Sequence, residues 1–492
     1  MFDLFFRDSD TLMLRLNSRP STCAPRQWGR GLLLAALLAL LPLTAAAQQG
    51  MGVSADTTRV SFDEAVRVAL DQNTDLKRAQ ASVRQSEAQV WSERMDFVPD
   101  LRMSTDMQRQ YGRNFSQVTG GFTTESTDFF NVSMNSGVTV FNGFENFASL
   151  DQAGSQAQAD ALNLKRTRRE VVFTVMQQFI TLVENREIMR VRREELSALR
   201  QQLKQVREFV QAGSRPVSEL YQQQANVAEA EQALLQAQRE REVSKTRLIQ
   251  TLQLNPQGAY NFQVPELPDD TLETEAYNAS ELIDEAFRNR LDLKVAKAEE
   301  TAAQQGIRIA RSSYYPSISV GGSYGTDWSS RFSIPDPDNP NQRTQPSFTD
   351  QLRNNRGGGV SVSLSIPVFS QYQRSTQVQQ AKVQAQNAEY ALQDQRQQVA
   401  LQVRQAYLDY RNAEQQLRAA NKRLRAARQA RTAAQERYNL GAASIVELQN
   451  ANRDFVNAAS QQVRARYNLV FLEKQIDYYV GRLSTDETLF RP

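Results

Sequence analysis

Six stretches of the chain are nearly free of the residues that interrupt helices. Residues 64–98 and 217–254 contain neither proline nor glycine, and 144–212 contain only Gly154. Farther on, 371–440 and 442–480 contain neither, and 276–315 contain only Gly306. These runs are crowded with Ala, Gln, Arg and Glu, which are strong helix formers. Apolar residues recur at three- and four-residue spacing, as in Val171, Val175, Phe179 and Leu182, and again in Val399, Val403, Tyr407 and Tyr410. Such narrow stripes suit coiled-coil seams better than a globular core. Ser61 followed by Glu64 fits a capping box at the first helix start.

Between the helical runs the period changes to two. Phe130, Val132, Met134, Val138 and Val140 alternate with Asn131, Ser133, Asn135, Gly137 and Thr139. Val360, Val362, Leu364, Ile366 and Val368 alternate with Ser361, Ser363, Ser365 and Pro367. Leu101, Met103, Thr105 and Met107 alternate with Arg102, Ser104 and Asp106, and Ile318, Val320, Gly322 and Tyr324 with Ser317, Ser319, Gly321 and Ser323. One apolar face per segment marks a half-buried strand, which a soluble two-layer sheet would also show. Each segment is, however, near the 9–11 residues that cross a bilayer, and its other face carries the small uncharged residues of a water-filled lumen. Val132, Met134, Val138, Val140, Val360, Val362, Leu364 and Ile366 are then expected to face lipid. Four strands cannot close a membrane barrel, which needs about eight or more, and an open edge in lipid is costly. Two copies would supply 8 strands and a filled barrel; three would supply 12 and a lumen. The expected fold is an α+β membrane protein. It is a homotrimeric 12-stranded β-barrel, four strands per chain, continued by a long α-helical coiled-coil barrel.

The chain carries this plan twice. Asp75-Leu76 and Pro99 recur 217 residues later as Asp292-Leu293 and Pro316. Phe141, Gly213 and Glu219-Leu220 recur 228 residues later as Phe369, Gly441 and Glu447-Leu448. The second copy therefore holds 11 extra residues between Pro316 and Phe369, in an interval with Pro335, Pro337, Pro340 and Pro346 that reads as an exposed loop. The first repeat is expected over 48–254, with a helix over 61–98, strands over 99–142 and coiled-coil helices over 143–254. A linker over 255–279 leads to the second repeat over 280–481, with a helix over 280–315, strands over 316–369 and coiled-coil helices over 370–481. Residues 482–492 form a tail. Each long helix would span about 105 Å, a length that two short helices stacked end to end would match.

Composition narrows the chemistry. Only 40% of the 492 residues are hydrophobic and the mean hydropathy is −0.57, too polar to fill one large core. Lys and Arg number 58 against 55 Asp and Glu, which gives no general reason to bind nucleic acid. The absence of histidine removes histidine bases, Ser-His-Asp and Cys-His pairs, and histidine-held metals. Residues 1–47 hold a secretory leader, with Arg26 and Arg30, an apolar run from Leu32 to Leu43, and Ala45-Ala46-Ala47 at the cleavage point. The run is shorter than the ~20 residues a spanning helix needs. Met13 is an alternative start. The single cysteine, Cys23, lies in this leader, so the processed chain would have neither disulfides nor thiolate metal sites. No catalytic residue, cofactor or metal is expected.

The whole arrangement over residues 60–481 resembles the TolC-like outer-membrane efflux proteins. The resemblance is carried by the leader, the duplication, the helix–strand–strand–helix–helix order and the prolines that open each strand pair, Pro99 and Pro316. A local signature adds to it: Tyr438-Asn439-Leu440-Gly441 followed by Ile445-Val446-Glu447-Leu448-Gln449-Asn450-Ala451. Its repeat partner is Ala212-Gly213 followed by Val217-Ser218-Glu219-Leu220. The resemblance implies a trimer with its barrel in the cell outer membrane and a helical tunnel across the periplasm. It implies an exit duct for an inner-membrane pump (RND, ABC or similar), joined through a periplasmic adaptor, in efflux or type I secretion.

The same resemblance implies site residues. The turns over 209–217 and 438–446, with Gly213, Arg215, Leu440 and Gly441, would be adaptor-docking tips. Acidic residues that ring the family's closed mouth are matched by Glu447 and Asn450, of which only the first is acidic. Glu219 and Tyr438 match positions that latch the mouth. An arginine of the family latch is matched by Ala443, while Arg215 stands at the equivalent place in the first repeat, so the latch is either rewired or weaker. From the residues alone, Glu447 also reads as a helix-N-terminal carboxylate, favourable at that end of the dipole. The glycines likewise read as left-handed helix caps. The linker and tail would form a small girdle. A secreted coiled-coil scaffold or adhesin stalk explains the helices and leader but not four alternating segments in a twofold repeat. An enzyme finds no support: Gly357-Gly358-Gly359 leads into a strand, not a helix, and is no nucleotide loop.

Overall fold

The computed structural model describes residues 58–116, 120–124, 126–263, 277–336, 338–339 and 342–483. The leader expected at 1–47, residues 264–276 of the linker and residues 484–492 of the tail lie outside the described residues. The first repeat runs β1 (Thr58–Val60), α1 (Phe62–Gln72), α2 (Thr74–Met95), β2 (Arg102–Gln110), β3 (Arg113–Ser116), β4 (Gly121–Thr124), β5 (Thr127–Asn142), α3 (Glu145–Gln211) and α4 (Val217–Thr251). β6 (Tyr260–Phe262) follows, and then the second repeat begins with α5 (Ala279–Asn289) and α6 (Leu291–Ser312). It continues with β7 (Ser317–Ser329), β8 (Ile334–Pro335), β9 (Arg343–Thr344), α7 (Phe348–Asn354), β10 (Gly357–Ser365), α8 (Gln373–Asn439) and α9 (Ile445–Val480). No described helix is long and apolar enough to cross a membrane.

The helix expected over 61–98 is two helices. Asn73 ends α1 and opens α2 with φ −58° and ψ 128°, and its side-chain oxygen accepts the N–H groups of Asp75 at 2.9 Å and Leu76 at 3.2 Å. These donors lack partners inside the helix, so the asparagine cap stabilises the break. The helix expected over 280–315 breaks at Arg290, 217 residues on, with φ −64° and ψ 125°. There Asp292 accepts the Arg290 Nε at 2.9 Å and the Leu293 N–H at 3.0 Å. The break is thus repeated with a different side chain holding it.

Helix packing follows the narrow stripes. α3 lies along α2, α4 and α6, and α8 along α6 and α9. One apolar cluster joins Phe62 and Val66 of α1 to Val175, Met176 and Phe179 of α3, Leu248 of α4 and Val470 of α9. Phe62 meets Phe179 edge-on at 5.5 Å. β1 pairs in parallel with β6, Val60 opposite Phe262, so the start of the linker is stitched to the first repeat. A second cluster joins Leu282 and Ala286 of α5 to Val399, Val403 and Tyr410 of α8 and Ile476 and Val480 of α9.

Four strands form one antiparallel sheet in the order β10–β7–β5–β2. Met103 lies opposite Met134, Met134 opposite Tyr324, Val138 opposite Val320, Val320 opposite Val362, and Ile318 opposite Leu364. Residues paired in this way share a face. The apolar positions of all four strands therefore form one continuous face. Ser104, Ser133, Ser319, Gly321, Ser323, Ser361 and Ser363 lie on the other, together with Arg102, Asp106 and Asp327. β2 and β10 are the two edges and are exposed along their whole length.

Three of the expected strand residues fall outside the regular ladder. Val140 is the extra residue of a bulge, with Thr139 paired to Ser319 and Phe141 to Ile318. Ile366 and Val368, expected as strand residues, lie past β10, which ends at Ser365 opposite the first residue of β7. Pro367 has no N–H with which to extend the ladder. The connections also hold more structure than expected. β3 and β4 form a hairpin, and the proline-rich interval contains the β8–β9 pair and α7. Gln351 of α7 is buried and accepts the Ser329 N–H at 3.0 Å, which seats the insertion on the end of β7.

Candidate functional site

α3 and α8 end in the same device. Gly213 (φ 72°) and Gly441 (φ 75°) take the left-handed conformation that closes a helix. The Gly213 N–H donates to the Val210 carbonyl at 3.0 Å and the Ser214 N–H to Phe209 at 2.9 Å. The Gly441 N–H donates to Tyr438 at 3.0 Å and the Ala442 N–H to Arg437 at 2.7 Å. These crossed bonds satisfy the last carbonyls and reverse the chain. Pro216 then opens α4, and Ser444 caps α9 by accepting the Glu447 N–H at 3.3 Å. Leu440 stands at the second turn, 84% exposed.

A polar cluster ties the two turns together. Tyr438 is buried at the end of α8 and donates its hydroxyl to Glu219 of α4 at 3.1 Å. Arg215 donates to the Tyr438 carbonyl at 3.1 Å, lies over the Tyr438 ring at 4.8 Å and approaches the Glu219 carboxylate at 3.6 Å. Burial, then the charge and hydrogen bond of Glu219, push the Tyr438 hydroxyl up to about 12. It is therefore a neutral donor at physiological pH. Farther along α4, Gln223 is fully buried; it donates to the Leu199 carbonyl at 3.0 Å and accepts from Gln449 of α9 at 3.4 Å. Ala443 is buried with Ala434, Tyr438, Ile445 and Leu448 in a small apolar cluster.

The structure brings Tyr438, Glu219 and Arg215 together but leaves Glu447 and Asn450 outside that cluster. Glu447, in the first turn of α9, pairs with Arg437 of α8 within its own hairpin. Asn450 is exposed. Arg437, Gln223 and Gln449 were not singled out by the sequence. A buried glutamine has no signature in a hydrophobic pattern, and Arg437 reaches its partner only because the chain reverses at Gly441. Among the described residues, no group of three or more acids, cysteines or histidines could hold a metal.

Comparison with known proteins follows the same architecture. VceC, an outer membrane protein of Vibrio cholerae, superimposes with a TM-score of 0.70 at 17% identity, covering 85% of this chain and 96% of that one. The CmeC outer membrane channel of Campylobacter jejuni gives 0.72 at 18%, covering 85% of each. The open state of the MtrE outer membrane channel of Neisseria gonorrhoeae gives 0.67 at 20%, covering 85% and 88%. No curated protein matches the chain by sequence. At these identities the structural likeness speaks to fold. Family membership comes from the sequence model described as "Outer membrane efflux protein", which matches residues 65–252 and 282–482, one stretch in each repeat. The protein is accordingly one of the outer membrane, and the chain belongs to the outer membrane efflux protein family.

Proposed function

We propose that three copies of the chain close their sheets into a 12-stranded barrel, continued by a tunnel of helices, to form the exit duct of an efflux system. The observation that carries this reading is the sheet. It has one continuous apolar face, an opposite face mostly of small polar residues that also carries Arg102, Asp106 and Asp327, and unpaired edges at β2 and β10. Val132, Met134, Val138, Val140, Val360, Val362, Leu364 and Ile366 then meet lipid, and the serine face lines the lumen. At the far end, the turns with Gly213, Arg215, Leu440 and Gly441 dock a periplasmic adaptor. The adaptor joins the duct to an inner-membrane pump, for efflux or type I secretion. The duct needs no cofactor, and its driving energy comes from those partners.

The mouth is held narrow by Tyr438, Glu219 and Arg215, which link the two hairpins of each chain. In this reading the latch is rewired, with Arg215 supplying the guanidinium that position 443 lacks. Its support is the contact of Arg215 with both Glu219 and the Tyr438 carbonyl. Glu447 and Asn450 line the mouth, with Arg437 offsetting the Glu447 charge. Single-channel conductance in a planar bilayer tests this. Arg215→Ala and Glu219→Gln should each raise conductance, and Glu447→Gln should weaken block by divalent cations. Equal block of parent and Glu447→Gln would remove Glu447 from the mouth, and unchanged conductance in the other two would remove the latch.

A further inference from the structure

Where α3, α5, α6 and α8 meet, the chain holds a groove of about 600 Å³, and every residue that lines it belongs to this one chain. We infer that this groove binds a small amphiphilic anion, an apolar body of aromatic or acyl type that carries one carboxylate or sulfonate. The groove lies roughly 65 Å along α8 from the second turn, and its binding does not depend on how many copies assemble.

Helical spacing builds its floor and walls. Leu293, Lys294, Lys297, Ala298 and Thr301 fall on one face of α6, at steps of three and four residues. Leu293 and Ala298 are buried there, and Leu392 of α8 is buried beside them. Leu162 of α3 forms a side wall, and Phe287 of α5 stands in the groove 42% exposed. An apolar floor and a volume within about 300–1,000 Å³ are what small-molecule sites offer.

The charged groups are of one sign. Lys294, Lys297 and Arg396 line the groove, and no Asp or Glu does. Lys297 is paired: its ammonium meets Glu300 at 2.6 Å, and Glu300 is buried and also accepts from Gln304 at 2.8 Å. Lys294 and Arg396 have no hydrogen-bond or ion-pair partner among the described residues. Their own helices offer none, because no acid stands three or four residues from either. Two unpaired cations beside a low-dielectric floor focus their field into the groove. Arg396 presents a planar fork suited to two oxygens of one anion, and Lys294 adds a point charge.

The opposite face of α6 provides the contrast. A cavity of about 580 Å³ opens there, lined by Arg166 and Arg290 but also by Asp160, Asp292 and Glu299. Arg290 is held by Asp292 at 2.9 Å and by the Gln402 side chain at 3.0 Å. Acids offset the cations in that cavity, whereas the Lys294 groove keeps an excess of positive charge over apolar walls.

Calorimetric titration of the full chain in non-ionic micelles tests this, with naphthalene-2-sulfonate as the probe and naphthalene-2-methanol as its uncharged counterpart. The sulfonate should bind, and the alcohol should bind about tenfold more weakly. Lys294→Gln with Arg396→Gln should weaken the sulfonate about tenfold and leave the alcohol unchanged, which also shows that the groove survives. Lys204→Gln with Arg207→Gln removes the same charge from an exposed stretch of α3 and should change neither. Phe287→Ala should weaken both probes. Displacement of the sulfonate by dodecanoate would assign the site to acyl anions of lipid origin, and failure to displace it would assign the site to dissolved aromatic anions. A parent that does not bind the sulfonate overturns the proposal. So does equal affinity for sulfonate and alcohol, or unchanged sulfonate binding without Lys294 and Arg396. An equal loss in the two double variants overturns it as well, because net charge alone would then account for the binding.

Discussion

Tyr438 holds its proton across the whole neutral range. Its folded value of about 12 lies above the unfolded value near 10, so the stabilisation it lends is complete below pH 10 and is lost as pH rises towards 12. Thermal unfolding followed by circular dichroism should show a drop over that alkaline window, and Tyr438→Phe should lessen it, the remainder coming from Tyr467 and Tyr478, whose hydroxyls burial also pushes up. Asn73→Ala strips two N–H groups of their acceptor and should cost about 1 kcal/mol. The glycines divide by surroundings. Gly213→Ala and Gly441→Ala meet no neighbour, so only their positive φ opposes them, at about 1 kcal/mol. Gly143 also has positive φ, but a Cβ there would lie 2.6 Å from the Ser312 carbonyl. Gly143→Ala should therefore lower the melting temperature well beyond the other two. Equal losses at all three sites would show that α6 can move aside.

At the level of elements, burial patterns show which parts of the structure the sequence could reveal. The sheet face was readable along most of its length, because a strand with one apolar side must alternate, but not at Val140, which falls in a bulge, or at Ile366 and Val368, which lie past β10. The breaks at Asn73 and Arg290 were not, since neither a glycine nor a proline marks them and both residues occur inside helices. The proline-rich interval read as loop, yet Gln351 anchors a short helix there through one buried hydrogen bond. At the tips, the glycine turns were legible from spacing, and Glu219 and Tyr438 from the family likeness. The Gln223–Gln449 contact depends on how two hairpins meet, which no local pattern encodes. Phe179 tests the readable part. It is fully buried between α1 and α3, and Phe179→Ala should cost about 3–5 kcal/mol by denaturant titration. Leu408→Ala, on the open face of α8, should leave the single chain's stability nearly unchanged while weakening the oligomer in detergent.

At the scale of the whole molecule, the duplication explains the low apolar content noted at the start. Most apolar residues lie in helix stripes and on one side of a sheet, as the proposed duct, in which each chain supplies only a sector of a tube, requires. The two bare edges of that sheet have a consequence for how the protein comes into being. A lone chain entering the bilayer would carry unpaired N–H and C=O groups along nine residues of β2 and nine of β10, each costing several kcal/mol in hydrocarbon. In the proposed duct, insertion and association are then one reaction of high order in chain concentration. Diluting the unfolded protein before adding vesicles should slow formation of the three-chain species far more than in proportion. A single-chain outer-membrane barrel treated in the same way should keep its rate.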